Sequence, residues 1–429
     1  MKITHIHIER FRGFQNEDFE VGSLLTAIAG QNGTQKSTLL GIITQTFTLK
    51  TEDSMRVEKP LCGGSYISAF KDKFRLSPTF DKPKGHEWTI SFDAGMDDFT
   101  VESIKRTGDP NVRFWKNGAS HEGDGYISIP TIFLSLKRLV PVAEEAKIIT
   151  DDTLLTQEEL NEFKQLHNKI LIAQTPISSA TTITSKNKQS IGVSTELYDW
   201  NQNSMGQDNL GKIILALFSF KRLHDKYPRQ YKGGILAIDE MDATMYPASQ
   251  VELLKVLRKY ASKLNLQILF TTHSMSLLKA MDDLVQEVTK KEETANQAKI
   301  LYLKKVDDKI AIKQGVNFKG IQLDLNVVAE GNNRKKNRIT AYTEDKENIL
   351  FVKAILKSKA FVLDFVDVTL PCSTLMELVT KRVPAFIYPY SIVILDGDVR
   401  MNKNDLRKIN NADNILIDEF ILQMQQNSD

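Results

Sequence analysis

The stretch Ala29-Gly30-Gln31-Asn32-Gly33-Thr34-Gln35-Lys36-Ser37-Thr38-Leu39-Leu40 constrains this chain more than any other. The apolar run from Leu24 to Ala29 predicts a buried strand, and Ser37–Phe47 predicts the first helix. A strand, a glycine-bearing loop and Lys-Ser at a helix start form a phosphate cradle. Loop N–H groups converge on an anion, the helix N-terminus adds partial positive charge, and Lys36 reaches the outer phosphates. Asn32, Gly33 and Thr38 line the same cradle, and the Ser37 hydroxyl is expected to bind Mg²⁺. Gln35 stands where G-x-x-x-x-G-K-[ST] has its second glycine, because the backbone there passes close to the phosphates. That departure predicts either weaker nucleotide binding or a local φ/ψ that suits a non-glycine residue. An ordinary turn before a helix is the competing reading.

With 429 residues the chain has room for two or three domains, each with its own core. A hydrophobic content of 41% and a charged content of 26% are those of a soluble globular protein. The net charge of +2 is too small to signal nucleic acid globally, so any such site must be a local patch. Cys62 and Cys372 lie far apart without metal-ligand spacing, which argues against a disulfide framework or a zinc site and for a reducing compartment. Met1-Lys2-Ile3-Thr4-His5-Ile6 alternates like a strand instead of opening a signal peptide. No apolar run approaches the roughly 20 residues of a membrane helix. The expectation is a cytoplasmic protein with no membrane partner.

Residues 3–9 alternate apolar and polar, and Arg10-Phe11-Arg12-Gly13-Phe14 makes a basic, aromatic turn into a second strand. Strand, turn, strand and phosphate loop in this order resemble the heads of ABC-type ATPases related to structural-maintenance-of-chromosomes (SMC) proteins. That resemblance implies nucleotide contact for Arg10 and Arg12, where composition alone allows a solvated edge. Runs such as Trp88–Phe92, Phe99–Val101 and Val112–Trp115, broken by Asn117-Gly118 and Gly123-Asp124-Gly125, predict an antiparallel sheet appended to the core. Thr131–Leu136 reads as a core strand. ABC heads follow this strand with a nucleotide-sensing glutamine, which is missing here; Lys137 and Arg138 are read as caps, with a sensor role as the alternative. Residues 145–175 turn helical, with a capping-box start at Thr156-Gln157-Glu158-Glu159, and Ser178–Ser190 reads as a mobile loop. The whole region, about 145–195, is expected to be a helical insertion for dimerisation or partner contact.

Ser204-Met205-Gly206-Gln207 then precedes an apolar helix, Leu210–Phe220. Such a turn presents backbone N–H groups and a hydroxyl to an anion. Its likeness to the ABC signature implies that Ser204, Gly206 and Gln207 bind the γ-phosphate held by an opposite head. The run Gly234–Ile238 delivers Asp239 and Glu240 to a strand end, where α/β sheets place ligands. Asp239 is expected to hold Mg²⁺, and Glu240 to polarise the attacking water. Asp242-Ala243-Thr244-Met245-Tyr246-Pro247 matches the loop that touches the partner head in ABC dimers. A second strand, Gln267–Phe270, ends in Thr271-Thr272-His273-Ser274, and His273 resembles the switch histidine that bonds the γ-phosphate.

Residues 331–338 read as a polar, basic hinge and a domain boundary, and beyond them the pattern restarts. Ile339–Thr343 leads to Glu344 and the helix Asn348–Lys357; the strand Phe361–Val368 and the helical piece Ser373–Thr380 follow; then Ser391–Leu395 leads to Asp396-Gly397-Asp398. Glu344, Asp396 and Asp398 gathered at one end of a parallel sheet would repel one another unless cations filled the cluster, and hard oxygen ligands favour Mg²⁺ or Mn²⁺. The pattern resembles the Toprim domain of topoisomerases, primases and OLD-family nucleases. That family supplies a further acid and a lysine after the Asp-x-Asp; Lys403, Lys408, Asp418 and Glu419 are the candidates. The competing reading is that Glu344 caps a helix and Asp396-Gly397-Asp398 is a polar turn.

Taken whole, the chain resembles the OLD family of ATP-dependent nucleases. The fold class this implies is α/β: an ABC-type P-loop ATPase head over 1–330, with an appended antiparallel sheet and a helical insertion, then a small Toprim domain over 338–429. The resemblance implies ATP and Mg²⁺ (or Mn²⁺) as cofactors, a homodimer or higher homo-oligomer through the heads, and cleavage of nucleic acid, DNA foremost, in defence against phage. It leaves room for companion components such as a reverse transcriptase with its small DNA. The rival expectations are an ATPase sensor with a degenerate Toprim domain serving a separate effector, and a DNA-repair ATPase.

Overall fold

The computed structural model describes residues 1–67, 73–77, 79–93, 95–105, 112–118, 125–139, 149–151, 154–173, 175–184, 189–329, 339–357, 360, 363–381, 383–386 and 391–395. The chain divides into two compact units, Met1–Asn326 and Val327–Asp429. The basic stretch 331–338, read above as a hinge, lies outside the described residues.

In the first unit, β1 (Ile3–Phe11) and β2 (Phe14–Glu20) precede β3 (Leu25–Gly30), α1 (Lys36–Thr44) and the short β4 (Phe47–Thr48). Then come β5 (Glu87–Phe92), β6 (Phe99–Lys105), β7 (Val112–Lys116), β8 (Ile127–Ser128) and β9 (Thr131–Leu134). The next segment holds β10 (Ile149–Asp151), α2 (Gln157–Leu171), β11 (Ser179–Thr184) and β12 (Gln189–Ser194). The unit closes with α3 (Met205–Lys226), β13 (Gly234–Ile238), α4 (Pro247–Lys263), β14 (Leu266–Thr272), α5 (Met275–Thr289), β15 (Ala298–Val306), β16 (Lys309–Lys313) and most of α6 (Phe318–Ala329), whose last residues fall past the boundary.

A six-stranded sheet in the order β16-β15-β3-β14-β13-β9 is the spine, parallel throughout except for the antiparallel edge strand β16. Strands β3, β13 and β14 are buried along their whole length, which is why they read as unbroken apolar runs. Their side chains alternate between two cores. Leu25, Ala27, Leu236, Ile238, Ile268 and Phe270 join the core formed with α3, α4 and α5. Ile28, Ile235, Ala237 and Leu269 point the other way, to a core shared with α1 and the antiparallel sheet β2-β1-β5-β6-β7. That second sheet follows period two, β5 alternating buried and half-buried residues. The spine is thus sandwiched, with its strand ends free to carry loops.

Three expectations about the first unit are corrected. The 145–195 segment is not a helical insertion, and Ser178–Ser190 is not one loop. Among the described residues it carries one helix, α2, and an antiparallel sheet in the order β10-β11-β12. Thr181, Thr182, Ile183 and Thr184 are β-branched and suit a pleated strand, and the buried Ile191 and Val193 give β12 a core side that its polar composition hid. The first helix also stops earlier than Phe47. Thr44 turns its hydroxyl back onto the Leu40 carbonyl at 2.8 Å, and Phe47 pairs with Ile127 in a two-stranded ladder.

The second unit holds β17 (Ile339–Thr343), α7 (Lys346–Leu356), β18 (Leu363–Phe365), α8 (Cys372–Thr380) and β19 (Ser391–Ile394). Its parallel sheet runs β18-β17-β19. The strand read as Phe361–Val368 is thus shorter among the described residues, ending where Val366 donates to the Ala341 carbonyl at 3.1 Å.

Candidate functional site

The phosphate loop leaves β3 through Gly30 at φ 150 and Gly33 at φ 80, backbone that a side chain would resist. Gln35 then takes a left-handed conformation, φ 62 and ψ 32, as the N-cap of α1. A non-glycine residue there costs roughly 1 kcal/mol. The structure shows where its side chain goes: a Cβ on Gly13 would come within 2.9 Å of Gln35 Nε2. The bare glycine of the Arg12-Gly13 turn makes room for the glutamine that stands where the motif has a glycine.

Lys36 is buried, and its ammonium donates to the carbonyls of Gly30 (3.0 Å) and Gln31 (2.9 Å). Burial pulls its pKa down to about 8, against the opposing pull of Glu240, Asp239 and Asp242. Ser37 Oγ donates to Asp239 Oδ1 at 2.9 Å, joining the helix start to the end of β13. The same oxygen accepts from Thr271 Oγ1 at 2.7 Å, and Thr271 in turn accepts from the Glu240 N–H at 2.6 Å. The ends of β13 and β14 are therefore tied side by side at the cradle. A hydroxyl and a carboxylate in contact form a hard-oxygen pair suited to Mg²⁺.

Glu240 sits at φ 49, a second left-handed non-glycine residue, with its carboxylate free of protein hydrogen bonds among the described residues. Strain of this kind concentrates where a side chain must be aimed. His273 reaches the surface at the end of β14, and its N–H donates to Asp242 Oδ1 at 3.3 Å. Partial desolvation and then the Lys36 ammonium hold its imidazole below the ordinary histidine range, while Asp242, Glu240 and Asp239 pull the other way. Lys36, Ser37, Asp239, Glu240, Asp242 and His273 are thus brought together. Asn32 and Gly33 are exposed on the loop, and Thr38 accepts a long hydrogen bond, 3.4 Å, from Arg12 Nη1.

Arg12 is fixed by a buried acid that sequence reading missed. Asp81 accepts from Arg12 Nε (3.0 Å) and Nη2 (2.9 Å) and contacts His86 Nε2 at 3.1 Å. Burial alone would raise the Asp81 pKa; hydrogen bonds from Arg12, the Ser77 N–H and His86 override it and hold the carboxyl at about 2. Arg10, by contrast, pairs with Glu87 across the neighbouring strands β1 and β5, on the solvent side of the sheet. Arg138 was read as a cap, and it is one, but a buried one whose guanidinium reaches Glu240 and Asn209. Lys137 is exposed.

Ser204, Gly206 and Gln207 stand elsewhere. Ser204 is the N-cap of α3 in a capping box, its Oγ accepting from the Gln207 N–H (3.4 Å) and its N–H donating to Gln207 Oε1 (2.8 Å). Among the described residues no hydrogen bond joins this turn to the phosphate loop. A Cβ on Gly206 would meet the Thr244 carbonyl at 2.5 Å, so the turn packs backbone to backbone against the 242–245 loop.

In the second unit, Glu344 follows β17, half-buried, and Asp345 beside it caps α7 by accepting from the Asn348 N–H at 2.8 Å. Asp396 and Asp398 lie outside the described residues, as do Lys403, Lys408, Asp418 and Glu419. Among the described residues no group of three or more His, Cys, Asp or Glu is placed to hold a metal ion. No helix among them is long and apolar enough to cross a membrane.

Residues 137–278 match the AAA ATPase domain family. No curated protein compared with the chain matches it. Among solved structures, the SMC head domain from Thermotoga maritima is 14% identical at a TM-score of 0.40, over 74% of this chain and 100% of that one. An Smc head bound to the C-terminal winged-helix domain of ScpA is 13% identical at 0.44, over 75% and 100%. The recombination mediator RecF with ATP is 12% identical at 0.37, over 73% and 98%. TM-scores this low leave the assignment of the site to the chain's own geometry. The family match and that geometry agree on an ATPase domain in the first unit, with ATP as its nucleotide.

Proposed function

We propose that the chain is an ATP-gated, divalent-metal-dependent endonuclease of the OLD type, acting in defence against phage. The observation that carries the ATP half is the Ser37–Asp239 contact at 2.9 Å, which brings a helix-start hydroxyl and a strand-end carboxylate together beside Lys36. In this reading Lys36 and the N–H groups at the start of α1 bind the triphosphate, with Asn32, Gly33 and Thr38 around it. Ser37 and Asp239 would hold Mg²⁺, which when bound neutralises phosphate charge. Glu240 accepts a proton from the attacking water, and His273 donates to the γ-phosphate. Ser204, Gly206 and Gln207 complete the site of a second copy, so two heads sandwich two nucleotides.

The nuclease half rests on strand register. Thr343 pairs with Ile394, so Glu344 and Leu395 leave the sheet at the same end, and Asp396 follows Leu395 in the chain. Glu344, Asp396 and Asp398 would hold Mg²⁺ or Mn²⁺, which supply Lewis-acid stabilisation at a phosphodiester. The role in defence is carried over from the family resemblance. The test is nicking of supercoiled plasmid by purified protein with Mn²⁺ and ATP. Wild-type nicking that Asp396→Ala and chelation both abolish is expected. Nicking that survives Asp396→Ala, or none by the wild type on DNA or RNA, overturns the nuclease and leaves an ATPase.

A further inference from the structure

Arg138 is 2% exposed, yet its charge is met by no carboxylate hydrogen bond among the described residues. All four acceptors are neutral amide oxygens: Nε donates to Asn209 Oδ1 at 2.6 Å, Nη1 to the carbonyls of Leu134 and Ser135 at 3.2 Å each, and Nη2 to the Glu240 carbonyl at 2.8 Å. Asn209, fully buried in the second turn of α3, passes the contact on: its Nδ2 donates to the Ala243 carbonyl at 3.0 Å. One planar fork therefore reads the end of β9, the backbone of Glu240 and the start of α3, and its neighbour reads the loop after Glu240. A guanidinium can satisfy that many directions at once; an ammonium cannot.

We propose that Arg138 and Asn209 form a positioning relay that sets the aim of the Glu240 carboxylate and ties it to the start of α3. The inference rests on the reading of Glu240 as the base that polarises water. The Glu240 carbonyl is the anchor of a left-handed residue, so its orientation and that of the side chain are coupled through φ 49. Gly206 lies against Thr244, inside the same loop that Asn209 holds, so a shift of the Ser204 turn reaches Glu240 through three hydrogen bonds: Asn209 to Ala243, Arg138 to Asn209 and Arg138 to Glu240. Arg138 touches no phosphate in this scheme. It acts on hydrolysis and leaves nucleotide binding to the loop.

The test separates affinity from turnover. Fluorescent-ATP titration and steady-state phosphate release are measured for the wild type, Arg138→Met, Arg138→Lys, Asn209→Leu, the Arg138→Met/Asn209→Leu double variant and Glu240→Gln. Misaiming a catalytic group costs about 100-fold in rate, so Arg138→Met is expected to lose about that much kcat while its nucleotide affinity stays within about threefold. Arg138→Lys keeps the charge but loses the fork and falls at least about tenfold; the double variant falls little further than Arg138→Met. If Arg138→Met does not fold, Arg138→Lys decides by the same split. Wild-type kcat in the foldable variant, affinity and kcat lost in equal measure, or losses that multiply in the double variant each overturn the relay. Glu240→Gln distinguishes the two readings. If it is inactive while Arg138→Met is unimpaired, only the relay is overturned; if it is as active as wild type, the base assignment is overturned and the relay with it.

Discussion

Gln35 illustrates how a single residue can depart from a motif without destroying it. Its left-handed backbone is the conformation a glycine would supply, and its side chain has a place against Gly13. Gln35→Gly should therefore leave stability within about 1 kcal/mol, because relief of the left-handed conformation offsets the lost contact. Gln35→Val, β-branched at the same φ, should lower stability by about 2 kcal/mol and weaken ATP binding. Thermal unfolding with and without ATP checks both. His167 gives a second residue-scale expectation. It is 2% exposed against Phe163, both ring nitrogens lack a partner among the described residues, and burial alone pulls its pKa down to about 4. Its folded pKa lies below the unfolded value of 6.5, so above pH 6.5 the ring is neutral in both states and its titration does not change stability. As the pH falls from 6.5 toward 4 the unfolded chain takes up a proton that the folded chain refuses, and stability drops by about 3 kcal/mol. Chemical denaturation across that window should show the loss, and His167→Leu should flatten it.

At the scale of elements, what the sequence disclosed and what it concealed divide by range. The cradle, β3 and the strand ending in Asp239-Glu240 were legible because each is a local pattern: an apolar run of fixed length with polar chemistry at its end. The strands β11 and β12 were not, since Ser, Thr and Gln conceal a half-buried sheet from any reading by polarity. The Arg138–Asn209–Glu240 contacts and the Asp81 clamp on Arg12 join residues far apart in the chain, so no spacing could announce them. The one available signal was a cation placed just after an apolar strand with no acid nearby in sequence. In the second unit the element order β17-α7-β18-α8-β19 follows the apolar pattern, while the fate of the Asp-x-Asp lies past the last described strand.

At the scale of the molecule, the proposed function divides the first unit into two half-sites: the cradle with Asp239, Glu240 and His273, and the Ser204 turn, whose hydroxyl and N–H groups are held in a helix cap. Two copies facing each other would join these halves, and the relay through Arg138 would let closure be felt at Glu240. All of this depends on Glu240 acting on water at a nucleotide held by Lys36. The most direct measurement is phosphate release by Glu240→Gln at saturating ATP, with bound nucleotide quantified in the same sample. The expected result is ATP retained at wild-type occupancy and turnover reduced at least about 100-fold. Turnover at the wild-type rate with ATP bound would contradict it.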